Sequence, residues 1–251
     1  MCRLLGFVAQ SPRSLRELLG DSYDSFEQFS CDLHDDGWGI AWLDGSQIQV
    51  QKEPVPAHTS ERYRSLADQP FEAALIHYRW ATQSLEVEFG NTHPFRADTV
   101  AFAHNGSVSP PSSLDDLISA PFGADLEGTT DSERYFRAVL SASRDTTLEE
   151  GLRRAITEIA GSLNYSSLNA LMLTPDALYA ACFFSPTSLS NDLPEDYYDM
   201  HYLASEGSVV VASSGWDHGD WTPLVNGSLL RITRATGEVN VSPLSTSVPS
   251  T

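Results

Sequence analysis

A cysteine stands directly after the initiator methionine, in Met1-Cys2-Arg3-Leu4-Leu5-Gly6-Phe7. A small second residue is what methionine removal tolerates, so processing would leave a chain beginning with a thiol and a free amine on one carbon. That pair supplies a nucleophile and its own base, because an α-amino group titrates near ~7.7 to 8.0 and a free thiol near ~8.5. Taken alone, Cys2 reads first as a small apolar residue leading into a strand. The rest of the chain decides between the two.

Four polar clusters could complete such a site: His77-Tyr78-Arg79-Trp80-Ala81-Thr82, Asn91-Thr92-His93-Pro94-Phe95, His104-Asn105-Gly106-Ser107 and Thr130-Asp131-Ser132-Glu133. A fifth, His34-Asp35-Asp36-Gly37-Trp38-Gly39, precedes a strand-like segment. Each has an ordinary structural explanation. Asn105-Gly106 alone reads as a hairpin turn, since both residues tolerate positive φ. Asp131 alone is a carboxylate at a helix N-terminus, with Thr130 or Asp131 as cap. Arg79 alone is a strand-end arginine paired with a nearby acid, and His93-Pro94 alone is a turn. No His-x-His, His-Glu-x-x-His or calcium-loop spacing occurs, so no metal is expected, and no glycine pattern supports phosphate binding. No cofactor is expected.

The elements that must position these residues follow from periodicity. Leu4 to Ala9 reads as a buried strand that would hold Cys2 at a rigid edge. Pro12 to Leu19 reads as a helix with Ser11 as N-cap. Gly39 to Leu43 and Gln47 to Gln51 form a hairpin around Asp44-Gly45. Ala73 to Arg79 and Thr99 to His104 are further strands, each ending in a polar cluster. Asp131 to Ser143 and Leu148 to Ile159 carry apolar residues at helical intervals. Strands return at Asn169 to Leu173, Leu178 to Phe184, His201 to Ala204, Val209 to Ser213 and Leu229 to Thr233. Strands, a helical pair and strands again imply an α+β fold with helices layered on sheets.

The 251 residues suffice for one substantial core, and no internal stretch resembles a linker, so one domain over 1–251 is expected, with a polar tail over about 242–251. A net charge of −19 argues against nucleic acid and anionic membrane partners. Lys52 is the only lysine. Cys2, Cys31 and Cys182 lack paired spacing and fit a reducing compartment. Without an apolar leader or membrane span, a cytoplasmic location is expected.

Met-Cys-Arg, Arg-Trp-Ala-Thr, Asn-x-His-Pro-Phe, His-Asn-Gly and Asp-Ser-Glu, in this order, resemble the class II, N-terminal nucleophile glutamine amidotransferases. Asp36-Gly37-Trp38-Gly39-Ile40 is similar to its short stand-alone members, among them the γ-glutamyl amidohydrolase of ergothioneine synthesis. Two departures are Gln83-Ser84-Leu85, where larger members carry a glycine, and Ser214-Gly215 in place of a frequent Ala-Ser-Glu-Pro. The resemblance implies a four-layer αββα sandwich and attack of Cys2 on the side-chain amide of glutamine. It assigns the oxyanion donors to the Asn105 side chain and the Gly106 N–H. Glutamine is a zwitterion, and the resemblance gives its α-carboxylate to Arg79 and its α-ammonium to Asp131. Trp80 and Thr82 would line the pocket, His93 would brace it, and Asp36 to Gly39 would support Cys2. Glutamine or a larger γ-glutamyl metabolite is the implied substrate, with an ammonia-accepting synthase as partner in the first case. A catalytically silent glutamine-sensing subunit is the alternative of another class.

Overall fold

The computed structural model describes residues 2–32, 34–81, 86–188, 193–216 and 219–244. In chain order the strands of the first half are β1 (Arg3–Arg13), β2 (Trp38–Asp44), β3 (Gln47–Glu53), β4 (Phe71–Tyr78), β5 (Phe95–Ala97) and β6 (Val100–Ser109). Those of the second half are β7 (Asn164–Leu173), β8 (Ala177–Cys182), β9 (Met200–Ser205), β10 (Ser208–Ser213), β11 (Thr222–Leu224), β12 (Ser228–Thr233) and β13 (Val239–Pro243). The helices are α1 (Leu15–Leu19), α2 (Tyr23–Asp32), α3 (Glu61–Ala67), α4 (Asp131–Ala142) and α5 (Leu148–Ser162).

The strands form a seven-stranded sheet in the order β11-β9-β10-β1-β4-β2-β3 and a six-stranded sheet in the order β13-β12-β8-β7-β6-β5. Every pairing is antiparallel. Alternation along each strand sends one set of side chains inward and the other outward. Leu4, Val8, Ala41 and Leu75 of the first sheet meet Ala101, Ala103, Leu171 and Leu178 of the second in a core between the sheets. On the far face of the first sheet, Leu5, Phe7 and Ile76 pack under Leu15, Phe26 and Tyr63 of α1 to α3. On the far face of the second, Phe102, Met172 and Tyr179 lie in one cluster with Phe136, Val139, Leu152 and Ile156 of α4 and α5. Three stacked cores give the αββα sandwich.

Local sequence and structure part company in several places. The helix expected from Pro12 begins only at Leu15, capped by Ser14 rather than Ser11. Ser14 Oγ accepts from Glu17 N at 3.2 Å, and the Glu17 carboxylate accepts from Ser14 N at 2.9 Å. Pairing of Arg13 with Phe71 across a register shift holds Ser11 and Pro12 in β1, where an irregularity tolerates proline. Asn105-Gly106 is not a turn: it lies within β6, opposite Asn169 and Leu168. The expected polar tail begins as a paired strand, since β13 runs to Pro243 and Leu244 is buried.

Gly39 shows how closely the layers approach. A Cβ there would fall 2.0 Å from the His93 carbonyl oxygen, so β2 admits the 91–95 segment only because position 39 has no side chain. Gly39→Ala is expected to destabilise the protein by at least about 1–3 kcal/mol through overpacking against backbone. Calorimetric unfolding checks this, and an unchanged transition would contradict it.

Candidate functional site

The first sheet brings the start of β1 and the end of β4 together, because Arg3 pairs with Tyr78 and Tyr78 also pairs with Trp38 of β2. Cys2 therefore sits beside the segment that leaves β4. Its thiol donates to the Trp80 carbonyl at 3.9 Å, and its backbone nitrogen donates to Asn105 Oδ1 of the opposing sheet at 3.0 Å. Cys2 is 9% exposed. Burial pushes its thiol pKa up; Arg79 pulls it down and Asp131 pushes it up, which puts both charges within electrostatic reach of the sulfur.

Asn105 is fully buried, and its Nδ2 has no hydrogen-bond partner among the described residues. A buried amide N–H in that state ordinarily costs about 1–3 kcal/mol, which an incoming oxygen would relieve. Next to it, a Cβ on Gly106 would lie 1.9 Å from the Ser167 carbonyl oxygen. Only glycine lets β6 run this close to β7. The register shifts between Gly106 and Val108, and the Val108 N–H donates to Asp131 Oδ2 at 2.6 Å. His104 ties the same elements from behind, with Nδ1 2.9 Å from Ser132 Oγ and Nε2 2.8 Å from the Ser167 carbonyl. Burial lowers its pKa, with Asp131 opposing; a carbonyl only accepts, so Nε2 is the donor to Ser167, and in the neutral ring Nδ1 then accepts from the Ser132 hydroxyl.

Asp131 is the first residue of α4, where the helix dipole favours an anion, and Thr130 Oγ1 caps the helix by accepting from Glu133 N at 3.1 Å. Among the described residues Asp131 Oδ1 makes no hydrogen bond. Arg79 follows β4 and is 2% exposed. Its backbone is clamped by Arg79 N to the Gly37 carbonyl at 2.8 Å and by Asp36 N to the Arg79 carbonyl at 3.2 Å. Its Nη2 donates to the Glu86 carbonyl at 3.0 Å, while Nη1 is buried with no partner among the described residues. Burial lowers the guanidinium pKa, with Cys2 and Asp36 opposing. Without an ion pair among the described residues, this buried cation keeps an uncancelled charge and a free donor.

The weaker expectations fare unevenly. Asp36 Oδ2 accepts from Ala81 N at 2.8 Å and so fixes the Trp80 carbonyl that meets the thiol. Trp80 is half-buried against His34, ring centroids 5.8 Å apart. His93, buried and joined to Pro94 by a cis bond, stacks on His77 at 4.1 Å. Thr82 lies outside the described residues.

Lys52 was singled out only as the lone lysine, yet it belongs to this framework. Its Nζ donates to the Thr92 carbonyl at 2.6 Å and lies 4.7 Å from the Phe89 ring centroid. It lines a cavity of about 230 Å³ with Phe89, Phe95, Glu127 and Glu133. Neither spacing nor neighbours in sequence announced this, because its partners are some forty positions away in β-sandwich contacts. Among the described residues no group of three or more His, Cys, Asp and Glu could hold a metal ion, and no helix is long and apolar enough to cross a membrane.

Residues 1–243 match the family model described as glutamine amidotransferases class-II. A putative glutamine amidotransferase of Haemophilus influenzae is 25% identical over 92% of this chain and 83% of its own. The glutamine–fructose-6-phosphate aminotransferase (isomerizing) of Pseudomonas syringae is 27% identical over 81% of this chain but only 32% of its own length. Among solved structures, a glutamine aminotransferase class-II domain protein from Silicibacter pomeroyi superposes with a TM-score of 0.68 at 22% identity, covering 97% of this chain and 100% of that one. The glutamine phosphoribosylpyrophosphate amidotransferase of B. subtilis gives 0.69 at 17% identity, covering 98% of this chain and 50% of that one. The chain belongs to the class-II glutamine amidotransferases, and its αββα layers are the fold of these neighbours.

Burial lowers the Lys52 pKa from 10.5 to about 8, with Glu127 and Glu133 opposing. Between about pH 8 and 10.5 the folded state then holds less proton than the unfolded chain, so stability rises with pH across that window and the gain is lost as pH falls through 8. Urea unfolding at a series of pH values should show this increment in the native protein and its absence in Lys52→Met. Equal slopes for the two proteins would contradict it.

Proposed function

We propose that the protein, as one domain spanning residues 1–251, hydrolyses the γ-amide of glutamine or of a γ-glutamyl compound through an N-terminal cysteine. Removal of Met1 turns the Cys2 nitrogen into an amine. That amine takes the thiol proton, directly or through water, and the sulfur attacks the γ-carbonyl carbon. The carbonyl oxygen becomes an oxyanion, held by Asn105 Nδ2 and the Gly106 N–H. Collapse expels the amine with the proton, leaving a γ-glutamyl thioester, and water hydrolyses the thioester to glutamate and the restored thiol.

The observation that carries this reading is the asymmetry of Asn105. Its Oδ1 accepts from the Cys2 nitrogen, which fixes the amide plane, and its Nδ2 remains unpartnered among the described residues, beside Cys2. A donor so oriented before substrate arrives needs no reorganisation in the transition state. Arg79 Nη1 serves the α-carboxylate and Asp131 Oδ1 the α-ammonium, with Trp80 and His93 around the head group. Glutamine and larger γ-glutamyl amides share that head group, so glutamate release compared across both identifies the leaving amine. Ammonia from glutamine would pass to a partner synthase in the cytoplasm.

Intact mass of the purified protein is expected to show Met1 missing, and a glutamine-like diazoketone should label Cys2. Retained Met1 with full activity would sink the amine-base mechanism. Cys2→Ala should abolish glutamate release, and Asn105→Ala should lower kcat by about 10² to 10³. Turnover unaffected by Asn105→Ala would remove it from the oxyanion site.

A further inference from the structure

Arg79 follows β4 of the first sheet and Asp131 opens α4, which packs on the second, so the two can read a zwitterion only if their separation is fixed. One side chain spans that gap. Asn91 Nδ2 donates to the Glu86 carbonyl at 3.2 Å, the same oxygen that accepts from Arg79 Nη2 at 3.0 Å. Asn91 Oδ1 accepts from Thr129 N at 2.8 Å and lies 3.4 Å from Thr129 Oγ1. Thr129 directly precedes the Thr130 cap and Asp131. A single carboxamide therefore joins the support of the cation to the support of the anion.

The segments it joins are packed back to back. A Cβ on Gly128 would stand 2.4 Å from Asn91 Oδ1 and 2.6 Å from the Gly90 carbonyl oxygen. Glu133 holds the far side by accepting from Glu127 N at 2.9 Å and Gly128 N at 2.8 Å, and Lys52 holds the near side through Thr92. Asn91 is fully buried, while the residues it bonds, Glu86 and Thr129, are themselves exposed. Its task needs a donor at one end and an acceptor at the other, which a carboxamide provides and a carboxylate or an alkyl group does not.

We propose that Asn91 is a positioning residue that fixes the span between Arg79 and Asp131 and thereby sets how tightly the α-carboxylate and α-ammonium of a γ-glutamyl substrate are held. The inference rests on the head-group roles given to those two residues above. Asn91 acts through them and does not act on the sulfur. Losing the tie weakens every ligand that carries the amino-acid head and spares reagents that lack it.

The test compares the native protein with Asn91→Ala and with Gly128→Ala, which pushes on the same contact from the other segment. Thermal unfolding establishes that each is folded. In both variants KM for glutamine should rise roughly 10- to 100-fold, the scale of about 1 Å of misplacement. The apparent second-order rate of Cys2 labelling by a glutamine-like diazoketone should fall by a similar factor. Alkylation of Cys2 by iodoacetamide, which has no head group, should stay within about twofold, and kcat within about threefold, as expected for lost uniform binding. Unchanged KM, or equal losses with both reagents, would overturn the positioning role while leaving the native enzyme's activity intact as support for the hydrolase reading. Failure of both variants to fold would reduce Asn91 to a structural tie and overturn it too. A native protein that neither hydrolyses glutamine nor takes the diazoketone would remove the reading and this inference with it.

Discussion

The hydrogen bond from the Cys2 nitrogen to Asn105 Oδ1 joins the two sheets where the candidate site lies, across 103 positions of sequence. Each sheet supplies what the other lacks. The first brings the thiol and the arginine through β1 and β4; the second brings the carboxamide and, through the irregularity after Gly106, the attachment of Asp131. If β1 or β6 slipped by one residue in its strand pairing, its inward and outward faces would exchange and the bond could not form. Inter-sheet packing of Leu4, Val8 and Ala41 on Ala101, Leu171 and Leu178 thus does more than stabilise: it sets the register in which chemistry is available.

Charge burial is handled differently around this junction than elsewhere. The surface arginines find carboxylates, as Arg16 does with Asp68 and Arg234 with Glu72, both at 2.9 Å. Such exposed pairs are worth little to stability. Arg79 and Lys52 instead give their protons to backbone carbonyls, of Glu86 and Thr92. A carbonyl satisfies geometry without cancelling charge, so the Arg79 guanidinium keeps its field. The desolvation this entails appears as lowered pKa values for both cations.

The layered fold was legible because hydrophobic period is a local property. The Asp44-Gly45 hairpin and the pair α4 and α5 follow from residues a few positions apart. What was not legible depended on distant pairing. Ser11 and Pro12 carry a good helix-start signal, but Arg13 is recruited by Phe71 and the cap moves to Ser14. Asn105-Gly106 carries a good turn signal, but β7 takes both residues into a ladder. The short helices α2 and α3 gave no sustained pattern, because each presents only a few apolar residues to the sheet. Cys2, Arg79, Asn105, Gly106 and Asp131 were readable as an ordered set through their motifs. Asn91 stands in the Asn-x-His-Pro-Phe motif with no contact implied for it, and Lys52 stands in none, since a backbone partner such as the Glu86 or Thr92 carbonyl or the Thr129 N–H leaves no mark in sequence.

The strong acidity of the chain also takes on a local meaning. With a net charge of −19, most of the carboxylates face solvent, while Arg3, Lys52, Arg79 and Arg137 are each 7% exposed or less. A negative exterior opposes the approach of a net anion, whereas a zwitterion has no net charge for that field to act on. Inside, charges of both signs, at Arg79 and Asp131, act on the Cys2 sulfur. Hydrolysis of a γ-glutamyl amide turns a neutral zwitterion into glutamate, which carries one more negative charge than the substrate. Under the proposed chemistry the product is therefore the species that the surrounding field disfavours, and release is aided by the same charge distribution that leaves substrate entry unhindered.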